Sequence, residues 1–254
     1  MKKYQKQSGM TVDAEYGEEQ GNPFFEALPE ILGKEEVMKR LRSQIPYPKD
    51  IQKMSPEERR KEVMEISKWF YPMDYMYTIY DMLYRAMSAT YQTKNIVDHI
   101  RQMNDLYMDF RTGREREFQY ATQAYTGAVL GVPGIGKTST VQRCLSLMPQ
   151  VIVHTNYGGK PMYTKQINYL FVECPSDCSV RTLAFNIFSA IDRAIGSDYL
   201  KQATYQRAVA ASATTTKLKI ICMNHHIGLI VIDEIQNAIQ TAVKNRQIKP
   251  LVKF

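Results

Sequence analysis

The spacing of apolar residues changes near residue 127. Before that point the chain reads as helices. Ser55-Pro56-Glu57-Glu58 joins an N-cap serine, a proline at the first helical position and a glutamate at N3, which marks a helix start, and the helix is expected to run to Phe70. After Tyr71-Pro72, residues 73–87 read as helical, as do 93–107, so 30–120 is expected to be mostly α. Residues 1–21 are polar, hold glycines at 9, 17 and 21, lack apolar periodicity and are expected to form a mobile arm. A short apolar island, Asn22-Pro23-Phe24-Phe25-Glu26-Ala27-Leu28-Pro29, follows between two prolines.

From Gly127 the pattern alternates between strand and helix. Ala128-Val129-Leu130 reads as a short buried strand running into a glycine-rich turn. Val141, Cys144, Leu145 and Met148 then fall at i, i+3, i+4 and i+7, one face of a helix ending at Pro149. Val151-Ile152-Val153 and Tyr169-Leu170-Phe171-Val172 read as strands, the first in an edge ribbon closed around Gly158-Gly159. Val180, Leu183, Ala184, Ile187, Phe188, Ile191 and Ile195 form a long apolar stripe, and Gly196 stands where a helix C-cap belongs. A second helical region, 200–225, leads through Gly228 into Leu229-Ile230-Val231-Ile232, a wholly apolar strand of the kind buried inside parallel sheets. Strands alternating with helices predict an α/β sandwich.

Composition adds a size and a compartment. With 254 residues, 44% hydrophobic and 23% charged, the chain can bury one sizeable core, or one core plus an appendage. Its apolar runs fall far short of the ~20 residues of a membrane helix, and Met1-Lys2-Lys3-Tyr4 lacks a signal-peptide core, so a cytoplasmic protein without a membrane partner is expected. Cys144, Cys174, Cys178 and Cys222 are scattered, which favours reduced thiols. Charge is uneven: residues 1–126 hold 19 Lys/Arg against 20 Asp/Glu, and 127–254 hold 14 against 6. The basic half favours a polyanion, which the nucleotide itself, a nucleic acid backbone or an acidic protein surface would satisfy, and a solvated basic face is the plainer account.

The chemistry lies in two motifs. Gly131-Val132-Pro133-Gly134-Ile135-Gly136-Lys137-Thr138 meets G-x-x-x-x-G-K-[ST], a P-loop, with Ser139 next to it in the phosphate-binding set. Its glycines let backbone N–H groups turn toward phosphates, and the following helix start adds its positive dipole end. Lys137 is expected to reach the β- and γ-phosphates, and the Thr138 hydroxyl to coordinate magnesium. Downstream, the apolar strand projects Asp233 toward that metal, and Glu234 is placed to polarise the attacking water. Together these predict binding of ATP with Mg2+. Hydrolysis requires γ-phosphate sensors and usually a neighbour's arginine as well.

Two other chemistries compete. Cys174, Cys178, Cys222, His225 and His226 offer a zinc set, yet Cys174 closes a strand, Cys222 lies on a helix's apolar side, and the histidines sit at a helix end. Tyrosines 75, 77, 80 and 84 suggest base stacking, but Arg85 is the one cation in that stretch, and Tyr and Met at helical spacing usually pack a core.

Asn22 to Pro29, Gly131 to Thr138, Phe188-Ser189-Ala190-Ile191-Asp192-Arg193-Ala194-Ile195-Gly196-Ser197-Asp198-Tyr199 and Leu229 to Gln236 together resemble TnsC and its TniB relatives, AAA+ regulators of cut-and-paste DNA transposons. The resemblance implies a P-loop NTPase fold of AAA+ type, a three-layer α/β/α parallel sheet, with a mostly α-helical N-terminal extension. It implies a flexible arm at 1–21, a partner-binding region at 22–120 and an ATPase core at 121–254. It further implies self-assembly as a ring or filament on duplex DNA through non-specific backbone contacts, recruitment by a target-selection protein, and licensing of transposase subunits, in a bacterial cytoplasm. Family members continue past the acidic motif into a sensor strand, a finger arginine, a fifth strand and a helical lid. This sequence runs about twenty residues past Asp233, so the sheet is expected to be incomplete, as in a truncated gene, an incomplete reading frame or a fragment, with ATP held and hydrolysed poorly. A generic AAA+ helper, such as a helicase loader or signalling NTPase, and a remnant that only binds a partner remain the alternatives.

Overall fold

The computed structural model describes residues 9–16, 21–44, 50–92, 125–177, 179–205 and 211–237, with isolated positions 105, 108, 111 and 112. Most of 93–107, together with Cys178 and everything after Asn237, lies outside them. The chain divides into two units. The first comprises Met1–Pro29, Arg85–Ala128 and Met148–Phe254; the second comprises Glu30–Tyr84 and Val129–Leu147.

In the first unit, β2 (Val151–Tyr157) and β3 (Lys160–Ile167) form the expected ribbon, antiparallel and turned at Gly158 and Gly159, whose φ angles of 56° and 72° suit glycine. β1 (Thr11–Asp13) pairs parallel with the other edge of β2, Thr11 opposite Val151, so this part of the expected irregular arm is a strand. β4 (Tyr169–Glu173) and β5 (Leu229–Asp233) make a separate parallel pair in which Glu173 lies opposite Asp233. Among the described residues of this unit, three helices follow β4. In chain order, their bounds are Val180–Ile195, Tyr199–Tyr205 and Ala211–Asn224.

The Val180–Ile195 helix starts at Ser179, whose hydroxyl accepts from Thr182 N, and stops at Gly196, left-handed at φ 73°. Its predicted stripe is the core: Leu183, Ala184, Ile187, Phe188 and Ile191 pack with Val151, Ile167, Leu170 and Val172 from the strands and with Leu218 and Ile221 from the third helix. Asp192 then turns the chain. Its carboxylate accepts from Ser197 Oγ at 2.6 Å, Tyr199 N at 2.8 Å and Leu200 N at 2.9 Å, and so starts the next helix.

A buried polar chain ties the N-terminal segment to the strands. Tyr16 Oη meets His154 Nδ1 at 2.6 Å, and His154 Nε2 meets Gln166 Oε1 at 2.8 Å. Gln166 Nε2 donates to Phe24 O at 3.0 Å and Asn168 Oδ1 at 2.9 Å, while Asn168 Nδ2 donates to Pro149 O. Tyr91, fully buried at the end of a helix, donates to His226 O at 2.7 Å and Ile167 O at 3.2 Å. Asn22 caps the short helix of the apolar island, α1 (Pro23–Glu26), and donates to Tyr91 O at 2.7 Å.

The second unit holds α2 (Lys34–Leu41), α3 (Pro56–Glu65), the first part of α4 (Tyr75–Gln92) and α5 (Lys137–Leu145). Ser55 and Glu58 form a complete capping box at the start of α3. α3 ends at Glu65, followed by a 3-10 turn at Ile66–Lys68, and does not reach Phe70 as expected. Phe70 instead exchanges both backbone hydrogen bonds with Ser43 at 3.0 Å, a bridge that helical geometry forbids.

The segment before the P-loop departs most from expectation. Ala128-Val129-Leu130 is not a strand, and Leu130 is 90% exposed. A strand exists only with a neighbour to complete its ladder, and among the described residues none pairs with this triplet.

Candidate functional site

Each sequence motif lies in its own unit. In the second unit, the chain from Gly131 turns twice through left-handed glycines, Gly134 at φ 81° and Gly136 at φ 88°, before α5 begins at Lys137. A side chain at either position would be strained, although neither meets a crowding neighbour, so the reason for glycine is the backbone turn. Gly136 is the N-cap residue of α5, and no side chain caps the helix. The first-turn N–H groups therefore carry the positive end of the helix toward the loop.

Lys137 folds back over that loop. Its Nζ donates to Gly131 O at 2.9 Å and Val132 O at 3.1 Å. The ammonium is thereby held over the glycine turn as the loop's own bridge. Val132, Pro133, Gly134 and Ile135 are exposed, as is Ser139, while Thr138 is half-buried in the first turn. α5 is anchored from behind by the burial of Thr140, Val141, Cys144 and Leu145. Cys144 Sγ donates to Met76 O, and burial pushes its thiol up to about 12, so it packs as a neutral group. Arg143 stacks on Phe70 at 3.8 Å from the ring centre.

In the first unit, β5 delivers the acidic pair. Asp233 is the last residue of the strand, and its carbonyl accepts from Cys174 N at 2.8 Å beyond the end of β4. Glu234 adopts φ 56°, uncommon for a residue with a side chain. Its N–H donates to Asp233 Oδ1 at 3.0 Å, and its carbonyl accepts from Asn237 N at 3.0 Å. The Asn237 amide reaches Cys174 O at 3.4 Å, tying the turn to the neighbouring strand end. Gln236 donates its side-chain amide to the Glu234 carboxylate. Sequence reasoning missed Gln236 and Asn237, since the P-loop and acidic pattern ends at the acidic pair.

The residues fit a magnesium nucleotide on observation of the chain itself: two left-handed glycines, a helix start without a side-chain cap and an ammonium over the turn form an anion cradle. Gly131 to Ser139 would hold the phosphates, with the Thr138 hydroxyl beside them as an oxygen ligand for the metal, which would neutralise phosphate charge.

The competing sets take structural places. Tyr199 Oη meets His225 Nε2 at 2.8 Å, the His226 ring stacks on Phe24 at 3.8 Å, and Cys222 packs against the core. Among the described residues no group of three or more His, Cys, Asp or Glu is placed to hold a metal. Tyr80 is buried and accepts from Leu32 N, which removes it from any stacking surface, whereas Tyr75 is exposed. Among the described residues no helix is long and apolar enough to cross a membrane.

A family model described as an AAA domain matches residues 120–253, just over half of the 254-residue chain. No curated protein matches the chain.

Proposed function

Because this chain belongs to the AAA domain family of P-loop NTPases, we propose that it is an ATP-binding regulator of DNA transposition that assembles on target DNA and links target selection to a transposase. The observation that carries the nucleotide part is the cradle formed by Gly134, Gly136 and the folded-back Lys137 at the start of α5. ATP binding replaces the two carbonyl bonds of Lys137 with bonds to phosphate, which are charge-assisted on both sides. Thr138 and Asp233 would each offer an oxygen ligand to Mg2+, which would neutralise phosphate charge, and Glu234 would orient the attacking water.

The DNA part rests on the excess of Lys and Arg, 14 against 6 acidic residues, in 127–254, and on the resemblance carried by the Asn22–Pro29 island and the Phe188–Tyr199 segment. A general AAA-type ATPase without a role in transposition is the second reading, favoured by the breadth of the family match.

The test is sedimentation or electron microscopy of the protein with duplex DNA. Large assemblies are expected with ATP and not with ADP, and DNA affinity should fall by about 10³-fold or more between 50 and 200 mM salt. Lys137→Ala should weaken ATP binding about 10- to 100-fold and abolish assembly. Assembly indifferent to ATP, or to DNA, rules out the regulator reading.

A further inference from the structure

We propose that Gln236 is a positioning residue for Glu234, holding its carboxylate in one rotamer at the end of β5. This rests on the reading of Glu234 as the group that acts on the attacking water. Three observations carry it. The Gln236 amide donates to the Glu234 carboxylate two residues away, a span that the helical spacing of three or four residues does not supply. Glu234 is left-handed at φ 56°, a conformation that persists only where surrounding contacts enforce it. Those contacts are present: Glu234 N to Asp233 Oδ1, Asn237 N to Glu234 O, and the Asn237 amide to Cys174 O.

The backbone turn thus fixes where the Glu234 side chain leaves the chain, and Gln236 fixes where it ends. An exposed glutamate otherwise samples several rotamers, and each unproductive one lowers the fraction of time in which a water is correctly oriented. Gln236 is neutral and donates without adding charge, so it restrains the carboxylate without pairing it to a cation. In the step it serves, the water oxygen bonds to the γ-phosphorus while one water proton passes to Glu234. The bond from that phosphorus to the β–γ bridging oxygen breaks, its electron pair staying with ADP, and the proton is later released to solvent.

The experiment is a double-mutant cycle on the full chain with two readouts. Gln236→Ala is expected to lower kcat for ATP hydrolysis about tenfold while the KM for ATP stays within about twofold. Gln236→Glu, equal in shape but without the donor, should lose at least as much, and Gln236→His, which keeps a donor, should regain part. In a Glu234→Gln background, Gln236→Ala should change nothing further, whereas a residue that merely stabilised the fold would cost the same in both backgrounds. The second readout is the side-chain amide resonance of Gln236 in the nucleotide-free protein, assigned by its loss in Gln236→Glu. It should move toward the position of a solvated amide in Glu234→Ala. A resonance unmoved by Glu234→Ala, or equal losses in both backgrounds, overturns the inference while leaving the ATPase reading intact. A wild-type chain that binds ATP yet hydrolyses it no faster than Lys137→Ala removes the ATPase reading, and the positioning role with it.

Discussion

At the scale of single residues, Gly228 and Tyr91 define how tightly the first unit is packed. A Cβ at Gly228 would lie 2.6 Å from Tyr91 Oη and 2.8 Å from the backbone oxygen of Asn168. The tyrosine is held by its bonds to Ile167 O and His226 O, so neither neighbour can give way cheaply. Gly228→Ala should therefore destabilise the protein by about 1–3 kcal/mol, as overpacking does, read from the urea unfolding midpoint. Tyr91→Phe should cost about 0.5–1.5 kcal/mol for a different reason, since it deletes the hydroxyl that bonds His226 O without adding bulk.

His154 supplies a pH dependence. Burial holds its imidazole below the ordinary value of 6.5, against the opposing effect of its bond to Gln166, and His225 is lowered chiefly by burial too. Below pH 6.5 the unfolded chain thus binds more protons than the folded one, and stability must rise with pH in that window. Both contributions are full above 6.5 and are lost as pH falls through the depressed folded values. Unfolding midpoints should drop between pH 7 and pH 5; midpoints that hold level would show that neither ring resists protonation.

At the scale of elements, the turn after the long core helix rests on one carboxylate. Asp192 accepts three hydrogen bonds, from Ser197, Tyr199 and Leu200, and serves as remote cap for the Tyr199–Tyr205 helix. Asp192→Ala should cost about 1–2 kcal/mol, measured by thermal unfolding, and Asp192→Asn, which keeps one acceptor, less. This helix was legible in the sequence because its stripe, Val180 to Ile195, and its stop, Gly196, are both local signals. The ribbon at Gly158-Gly159 and the apolar strand ending at Asp233 were legible for the same reason. β1 was not, because three residues, Thr11–Asp13, carry no period, and their partner, Val151–Val153, lies far along the chain. Ala128-Val129-Leu130 misled in the opposite direction: apolar character is a property of residues, whereas a strand is a relation between two segments. At the site, the phosphate loop announced itself by glycine spacing, but the Glu234 turn did not, since its left-handed backbone and its Gln236 contact follow from packing at the strand end.

At the scale of the whole molecule, residues 9–16 belong to the sheet they reach. Gly9 N bonds to Gln150 Oε1, Met10 O accepts from Gln150 N, Ala14 N donates to Val153 O, and Tyr16 joins His154. At about 0.5–1.5 kcal/mol net per bond, offset by the entropy of ordering the segment, these contacts add a modest stability. Deleting residues 1–16 should lower Tm by about 5 °C, on the scale of roughly 2–4 °C per kcal/mol for a domain of this size. An unchanged Tm would mean that the segment adds nothing.

That same pairing sets an order in time. Tyr16 and His154 are 138 residues apart. On a ribosome adding about 5–20 residues per second, the first strand waits roughly 7–28 seconds for β2 to emerge. Until then its polar sequence keeps it in water, and the apolar core helix has not been made. The strand made first therefore waits for a partner made more than a hundred residues later, and its arrival covers an edge of β2 that could otherwise pair with another chain.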